Sequence, residues 1–247
     1  GYTANYEHPF DKVTADTYNM YVNREPRFYI NITWNHMKLP YAVVGTTVAS
    51  TKEIQFYYNG NSGGPSGDRS VSGYSVRKMY NSNNSDQALW IMPMVWPMIR
   101  LAEVYLNYTE ALIEAGDLTN PDLLTYWNKV RARAGVPNIE EVYPGIESDQ
   151  TLLREMIRRE RQVELAYENH RYFDTRRWMI AEETNNGYVY GMDVSVTKDT
   201  PIGNSAFWKR TPVKDYGARV FPKANYLHPI EQWELDRDPV LEQAPFY

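Results

Sequence analysis

From Pro97 onward, apolar residues recur at spacings of three and four, a pattern that only a helical scaffold can use. Leu101, Val104, Tyr105, Tyr108, Leu112 and Ala115 fall on one stripe of a 3.6-residue helix, and Gly116 supplies its stop. Asn120-Pro121 reads as the cap and first-turn proline of a second helix, with Leu123, Leu124, Trp127 and Val130 on one face before Gly135 and Pro137. So short a connection makes the two helices antiparallel neighbours. A third helical segment starts after Asp149, carries Leu153, Met156, Ile157 and Leu165, and runs towards Asn169, ahead of the segment 171–178. On it Glu160, Glu164 and Glu168 stand at successive i,i+4 positions, a like-charge ladder that weakens an isolated helix by about 0.2–0.5 kcal/mol per pair. An interhelical ion network is expected to compensate, drawing on Arg154, Arg158, Arg159, Arg161 and Arg171 nearby and on Arg100, Arg131 and Arg133 from the preceding helices.

Upstream the pattern is extended. Phe28, Ile30, Ile32 and Trp34 alternate with Tyr29, Asn31 and Thr33, which predicts a half-buried strand over 27–34. A second strand is expected over 54–58, closed by an Asn59-Gly60 turn and followed by a long polar loop with four glycines and Pro65. Trp90 and Trp96 flank Pro93 in the most apolar run and are expected in the core. After Glu183 the chain returns to loops and ends in Pro- and aromatic-rich coil over 226–247. The expected fold is mainly α with long loops and a few short strands. Residues 1–247 are read as one domain, with 1–96 the loop- and strand-rich, ligand-facing region, 97–180 the helical scaffold and 181–247 a loop-rich tail.

Several chemistries are disfavoured at this level. A net charge of −5 gives no general attraction to phosphate backbones, so nucleic acid is not an expected partner. The absence of cysteine excludes disulfides, a thiolate nucleophile and Cys-ligated zinc or iron–sulfur sites. His8, His36, His170 and His228 are far apart in sequence, and Gly63-Gly64-Pro65-Ser66-Gly67 lacks the lysine of a phosphate loop, so no metal and no cofactor are expected. The apolar run 88–99 is broken by Pro93 and Pro97 and is too short to span a membrane. Glu160, Glu164, Glu168 and Asp174 are interleaved with arginines that favour the ionised form, the opposite of what a glycosidase general acid needs.

The informative excess is aromatic, 21 Tyr, 7 Trp and 7 Phe, since Tyr and Trp offer a flat apolar face for a sugar ring and a polar tip. Trp34-Asn35-His36 combines a stacking face with planar polar groups in three consecutive residues. Tyr57, beside Tyr58 and the glycine-rich loop, is a second candidate contact, and Tyr6 a third.

Four ordered motifs carry a family resemblance: Pro97-Met98-Ile99-Arg100-Leu101-Ala102-Glu103-Val104-Tyr105, then Trp127-Asn128-Lys129-Val130-Arg131-Ala132-Arg133-Ala134-Gly135, then Arg158-Arg159-Glu160-Arg161-Gln162-Val163-Glu164-Leu165, and His170-Arg171-Tyr172-Phe173-Asp174. With Leu227-His228-Pro229-Ile230, and weaker matches at 24–28 and 73–78, the chain resembles the SusD/RagB family of Bacteroidetes surface lipoproteins. The resemblance implies a SusD-like fold on a tetratricopeptide-related helical scaffold, no catalysis, and glycan capture above a SusC-type TonB-dependent transporter. It also implies that this chain corresponds to the C-terminal portion of such a protein, with the outer-membrane lipid anchor upstream. Arg100, Glu103, Arg131, Glu160, Glu164 and Asp174 match charged motif positions, read as buried pairing that fixes the helices. The family's ligand contacts lie on variable loops, so none is carried over. Thr109 stands where a small residue is usual, and Glu231, Ala244 and Phe246 depart from the usual tail. Two other readings remain, a peptide ligand on the same fold and a tetratricopeptide-type adaptor, the latter motivated by the antiparallel pair at 97–135.

Overall fold

The computed structural model describes residues 19–42, 49–64, 69–81, 93, 96–200, 204–213 and 217–247. Its upstream region holds a helical turn at Asn19–Tyr21, α1 (Pro26–Asn31), β1 (Ile32–Trp34), β2 (Lys38–Ala42), β3 (Ala49–Glu53) and β4 (Tyr74–Val76). The strand expected over 27–34 is therefore half helix. Pro26 sits in the first turn, where its fixed φ and missing amide favour a helix start. The Tyr29 hydroxyl donates to the Tyr21 carbonyl at 2.6 Å, and such tertiary contacts outweigh the β-propensity of the segment. The second strand lies at 49–53 instead of 54–58, pairing antiparallel with β2 from Lys38↔Glu53 to Ala42↔Ala49. Residues 54–58 leave the ladder but keep the alternation, Ile54 and Phe56 pointing inward. The Asn59-Gly60 turn forms as expected, with the Gly60 amide donating to the Tyr57 carbonyl at 2.8 Å. β1 pairs with β4, and the two small sheets share an aromatic core of Tyr21, Tyr29, Trp34, Phe56, Phe207 and Trp208.

The scaffold consists of α2 (Leu101–Ala115), α3 (Pro121–Arg133), α4 (Ile139–Val142), α5 (Gln150–Glu164), α6 (His170–Arg177) and α7 (Ala181–Thr184). Gly116, at φ 74°, ends α2 in the left-handed region. Asn120 caps α3 by accepting from the Asp122 amide at 3.1 Å. α2 packs on both α3 and α5 around Leu106, Ile113, Leu123, Trp127, Leu153 and Ile157. The buried face of α2 is not the stripe that the periodicity suggests: Leu101 is 62% exposed, and Val104 and Tyr108 also face outward. Of the expected stripe Leu112 is buried and Tyr105 packs on the core, while Leu106, Thr109, Glu110 and Ile113 supply the rest of the inward face. Two opposed stripes fit this apolar-rich helix, and Glu110, gripped by Arg177 and by the Trp178 indole at 2.6 Å, fixes which one is buried. Trp96 is exposed, contrary to expectation, and joins neither buried cluster among the described residues, while Trp90 falls outside them.

α5 stops at Glu164, short of the expected Asn169, because Tyr167 and Asn169 take left-handed backbone angles of 64° and 67°. Glu168 thus leaves the helical ladder, and the expected ion network forms with partners from across the molecule. Glu160 is held at 2.6 Å by both Arg27 and Arg131. Glu164 receives Arg27 at 3.0 Å, Arg100 at 2.7 Å and Arg133 at 2.5 Å. Glu168 pairs with Arg100 at 2.5 Å and with Lys78. A second knot joins Asp174 to Arg161 and Arg177. Arg27 and Lys78, which come from the upstream region, extend the expected set. Arg154 turns instead to Glu114, and Arg158 stacks on Trp178. Burial pushes the Glu160 carboxyl up, but Arg27 and Arg131 outweigh it and hold it below the usual carboxylate range.

The tail adds β5 (Gly187–Tyr188), β6 (Tyr190–Gly191), β7 (Thr211–Pro212), β8 (Ala218–Arg219) and α8 (Gln232–Arg237), with β5 paired to β8 and β6 to β7. Gly191 lets this tail touch the upstream region: a Cβ there would lie 2.5 Å from the Ser72 carbonyl oxygen and 2.6 Å from its Cα. Gly191→Ala must push the two backbone segments apart, and urea unfolding is expected to register a loss of about 1–3 kcal/mol. No helix among the described residues is long and apolar enough to cross a membrane.

Candidate functional site

The turn after β1 brings together most of the residues singled out by the sequence. The Met37 amide donates to the Trp34 carbonyl at 3.1 Å, and His36 takes the left-handed angle, φ 68°, that so tight a reversal requires. Trp34 points inward and is 2% exposed, its ring stacked on Phe28 at 5.4 Å and edge-on to Tyr29 at 5.5 Å. It has no face to offer a sugar, which corrects its expected role as a stacking platform: the strand end buries it in the aromatic core. Asn35 is likewise fully buried. Its carbonyl oxygen accepts from the Phe56 amide at 2.8 Å and its amide donates to Asp199 at 2.5 Å, so it orders the corner and does not reach outward.

His36 lies at the rim, its side chain 19% exposed and parallel to the Trp208 ring. Its Nδ1 is 2.6 Å from Glu53 Oε1 and its Nε2 is 2.6 Å from Asp199 Oδ2. The close contact with Asp199 raises its pKa most, burial opposes, and the hydrogen bond to Glu53 adds to the rise, which pushes it up to about 9. Burial pushes Asp199 up, yet His36 and Asn35 hold it below its ordinary value. At neutral pH both imidazole nitrogens therefore carry protons and the ring has no lone pair with which to act as a general base. Because the folded pKa lies above the ordinary 6.5, the imidazolium stabilises the fold fully below about pH 6.5 and loses that contribution as pH rises through about 9. Between pH 7 and 9.5, urea midpoints are expected to fall by the equivalent of about 2 kcal/mol after allowance for solvent screening. His36→Gln should flatten that slope.

Tyr57 stands half-buried beside this corner, its phenol raised by partial burial and by the charges of Asp199 and Glu53. Tyr58, 36% exposed, turns the other way, its amide donating to the Val196 carbonyl at 2.7 Å. With Arg69, Asp193 and Ser195 it lines a cleft of about 170 Å3. The loop between is braced by Asn61, which donates to the Glu53 carbonyl at 2.6 Å and accepts from the Gln55 amide at 3.1 Å. The structure thus brings His36 and Tyr57 into one polar corner and assigns Trp34 and Asn35 to its support. Tyr6 lies outside the described residues. Glu53, Asp199 and Trp208 complete the corner, and no local pattern marks them, since Asp199 is remote from His36 in sequence. Among the described residues no group of three or more His, Asp or Glu is arranged to hold a metal ion.

The fold that results, a strand-and-loop region beside a helical scaffold, superposes on solved SusD-like proteins. One from Bacteroides fragilis superposes with a TM-score of 0.73 at 29% identity, over 96% of this chain and 43% of its own. A SusD-like carbohydrate binding protein from the same species gives 0.66 at 26% identity, over 97% and 45% respectively. In sequence, SusD-like protein P25 of Formosa agariphila is 33% identical over 148 residues, 60% of this chain and 23% of that protein. The SusD family model matches residues 2–247, and the chain belongs to that family. It spans less than half the length of these relatives.

Proposed function

We propose that this protein is a non-catalytic carbohydrate-binding protein of the outer-membrane surface, held there by a lipid anchor, which passes oligosaccharide to a SusC-type TonB-dependent transporter. The observation that carries this reading is membership of the SusD family along 2–247, with a carbohydrate binding protein among the solved relatives. The site chemistry agrees with it. Tyr57 and Tyr58 offer ring faces on either side of a braced loop, and Glu53, Asp193 and Ser195 supply hydroxyl-binding groups beside them. His36, bonded to Glu53 and close to Asp199, ties the two sides of the corner together.

Isothermal titration of the full chain against plant and host oligosaccharides and a peptide mixture tests this. Saturable binding to a sugar whose mass is unchanged after prolonged incubation is expected. Tyr57→Ala and Tyr58→Ala should each weaken it by about 10-fold. Binding to peptides alone, or release of new reducing ends, would overturn the reading.

A further inference from the structure

The groove between α1 and α5 carries chemistry that the His36 corner does not use. It encloses about 500 Å3, a volume within the usual range for small-molecule sites. Two of its arginines, Arg24 and Arg159, have no carboxylate partner among the described residues, whereas every carboxylate of the α5 network is engaged. Arg24 donates weakly to the Met20 carbonyl and lies 4.4 Å over the Phe28 ring, which preorganises its guanidinium at the groove wall. The carboxylate that shares the lining, Glu25, is taken by Arg27. Among the described residues the groove therefore presents net positive charge, with Arg24 and Arg159 facing no carboxylate of their own.

Tyr167 shares the lining with Arg24, 44% exposed and with no ring stacked on it among the described residues. Its φ of 64° is a strained backbone state for a bulky residue, whereas Asn23, also in the lining at 53°, is of a type that visits the left-handed region readily. Strain of this kind persists only where neighbours over-determine it, and it gathers at ligand clamps. Lys78 supplies the constraint, its ammonium donating at 2.9 Å to the carbonyls of both Glu164 and Ala166, on the turn that presents Tyr167. Gln162, exposed one helical turn after Arg158, adds a planar polar group to the same wall.

Resting on the carbohydrate-binding reading above, we propose that this groove is a subsite for an anionic sugar residue, a uronate or a sulfate ester. Arg24 and Arg159 take the anion, Tyr167 carries the ring, and Gln162 and Asn23 bind hydroxyls. Lys78 is a positioning residue that acts through the 164–168 turn.

The test is titration of the full chain with an oligouronide against its methyl ester, and with a sulfated galacto-oligosaccharide against its desulfated form. The wild type is expected to favour one anionic member over its neutral partner by at least about 10-fold, the preference shrinking with added salt. The pair that shows the preference identifies the anion. In Arg159→Gln, and more fully in Arg24→Gln/Arg159→Gln, the ratio should collapse towards about 1 with an unchanged melting temperature, since both side chains are exposed and have no carboxylate partner among the described residues. Equal binding of charged and neutral sugars overturns the inference and leaves the carbohydrate reading standing. A preference that survives in the double variant overturns the site, and an acidic peptide that binds in place of every sugar overturns both readings.

Discussion

Glu164→Gln is expected to lower the unfolding free energy by about 3–5 kcal/mol, a large share of the stability of an ordinary domain. The reason is the geometry of one carboxylate: Glu164 is 2% exposed and is shared by Arg27, Arg100 and Arg133, whose guanidinium groups lie 2.5–3.0 Å away. Glutamine keeps the shape and removes the charge, leaving cations on three separate segments facing one another. By contrast Glu114, half-exposed and paired only with Arg154, should cost no more than about 1 kcal/mol when changed to Gln. Urea midpoints of the two variants, with the slope checked for constancy, measure the difference. Comparable losses would show that the buried network is no stronger than a surface pair.

Trp34→Ala should cost a similar amount, about 3–5 kcal/mol, through the cavity it opens between Tyr21, Phe28 and Tyr29. Trp34→Phe, which keeps most of the ring contact, should cost markedly less. The pair of variants separates packing from recognition. If Trp34→Ala unfolds at the wild-type midpoint yet fails to bind sugar, the residue faces ligand and the packing account is wrong.

Much of the scaffold is legible in sequence because helix signals are local. Asn120, Pro121 and Gly116 each act on their own backbone, and the structure places caps and stops there. The like-charge spacing of Glu160, Glu164 and Glu168 likewise announces an ion network, though not that Arg27 and Lys78 would complete it. What fails is whatever tertiary context decides. The alternation over 27–34 is real, but Pro26 and the grip on Arg27 wind its first half into a helix. The burial of Trp34 depends on Tyr21 and Phe28, and the charge state of His36 on Asp199, which no spacing rule connects to it. The groove between α1 and α5 is hidden for the same reason, since its two walls meet only in the folded chain.

The bond between Arg27 and Glu160 closes a loop of 133 residues, so its stabilisation arrives only after the chain has paid the entropy of that closure. The knot at α5 is thus expected to form after the helical core and the aromatic core have each condensed. In stopped-flow experiments Glu164→Gln should leave the refolding limb of the chevron nearly in place and steepen the loss through faster unfolding. The clamp then sets how long the native state lasts more than how quickly it is reached.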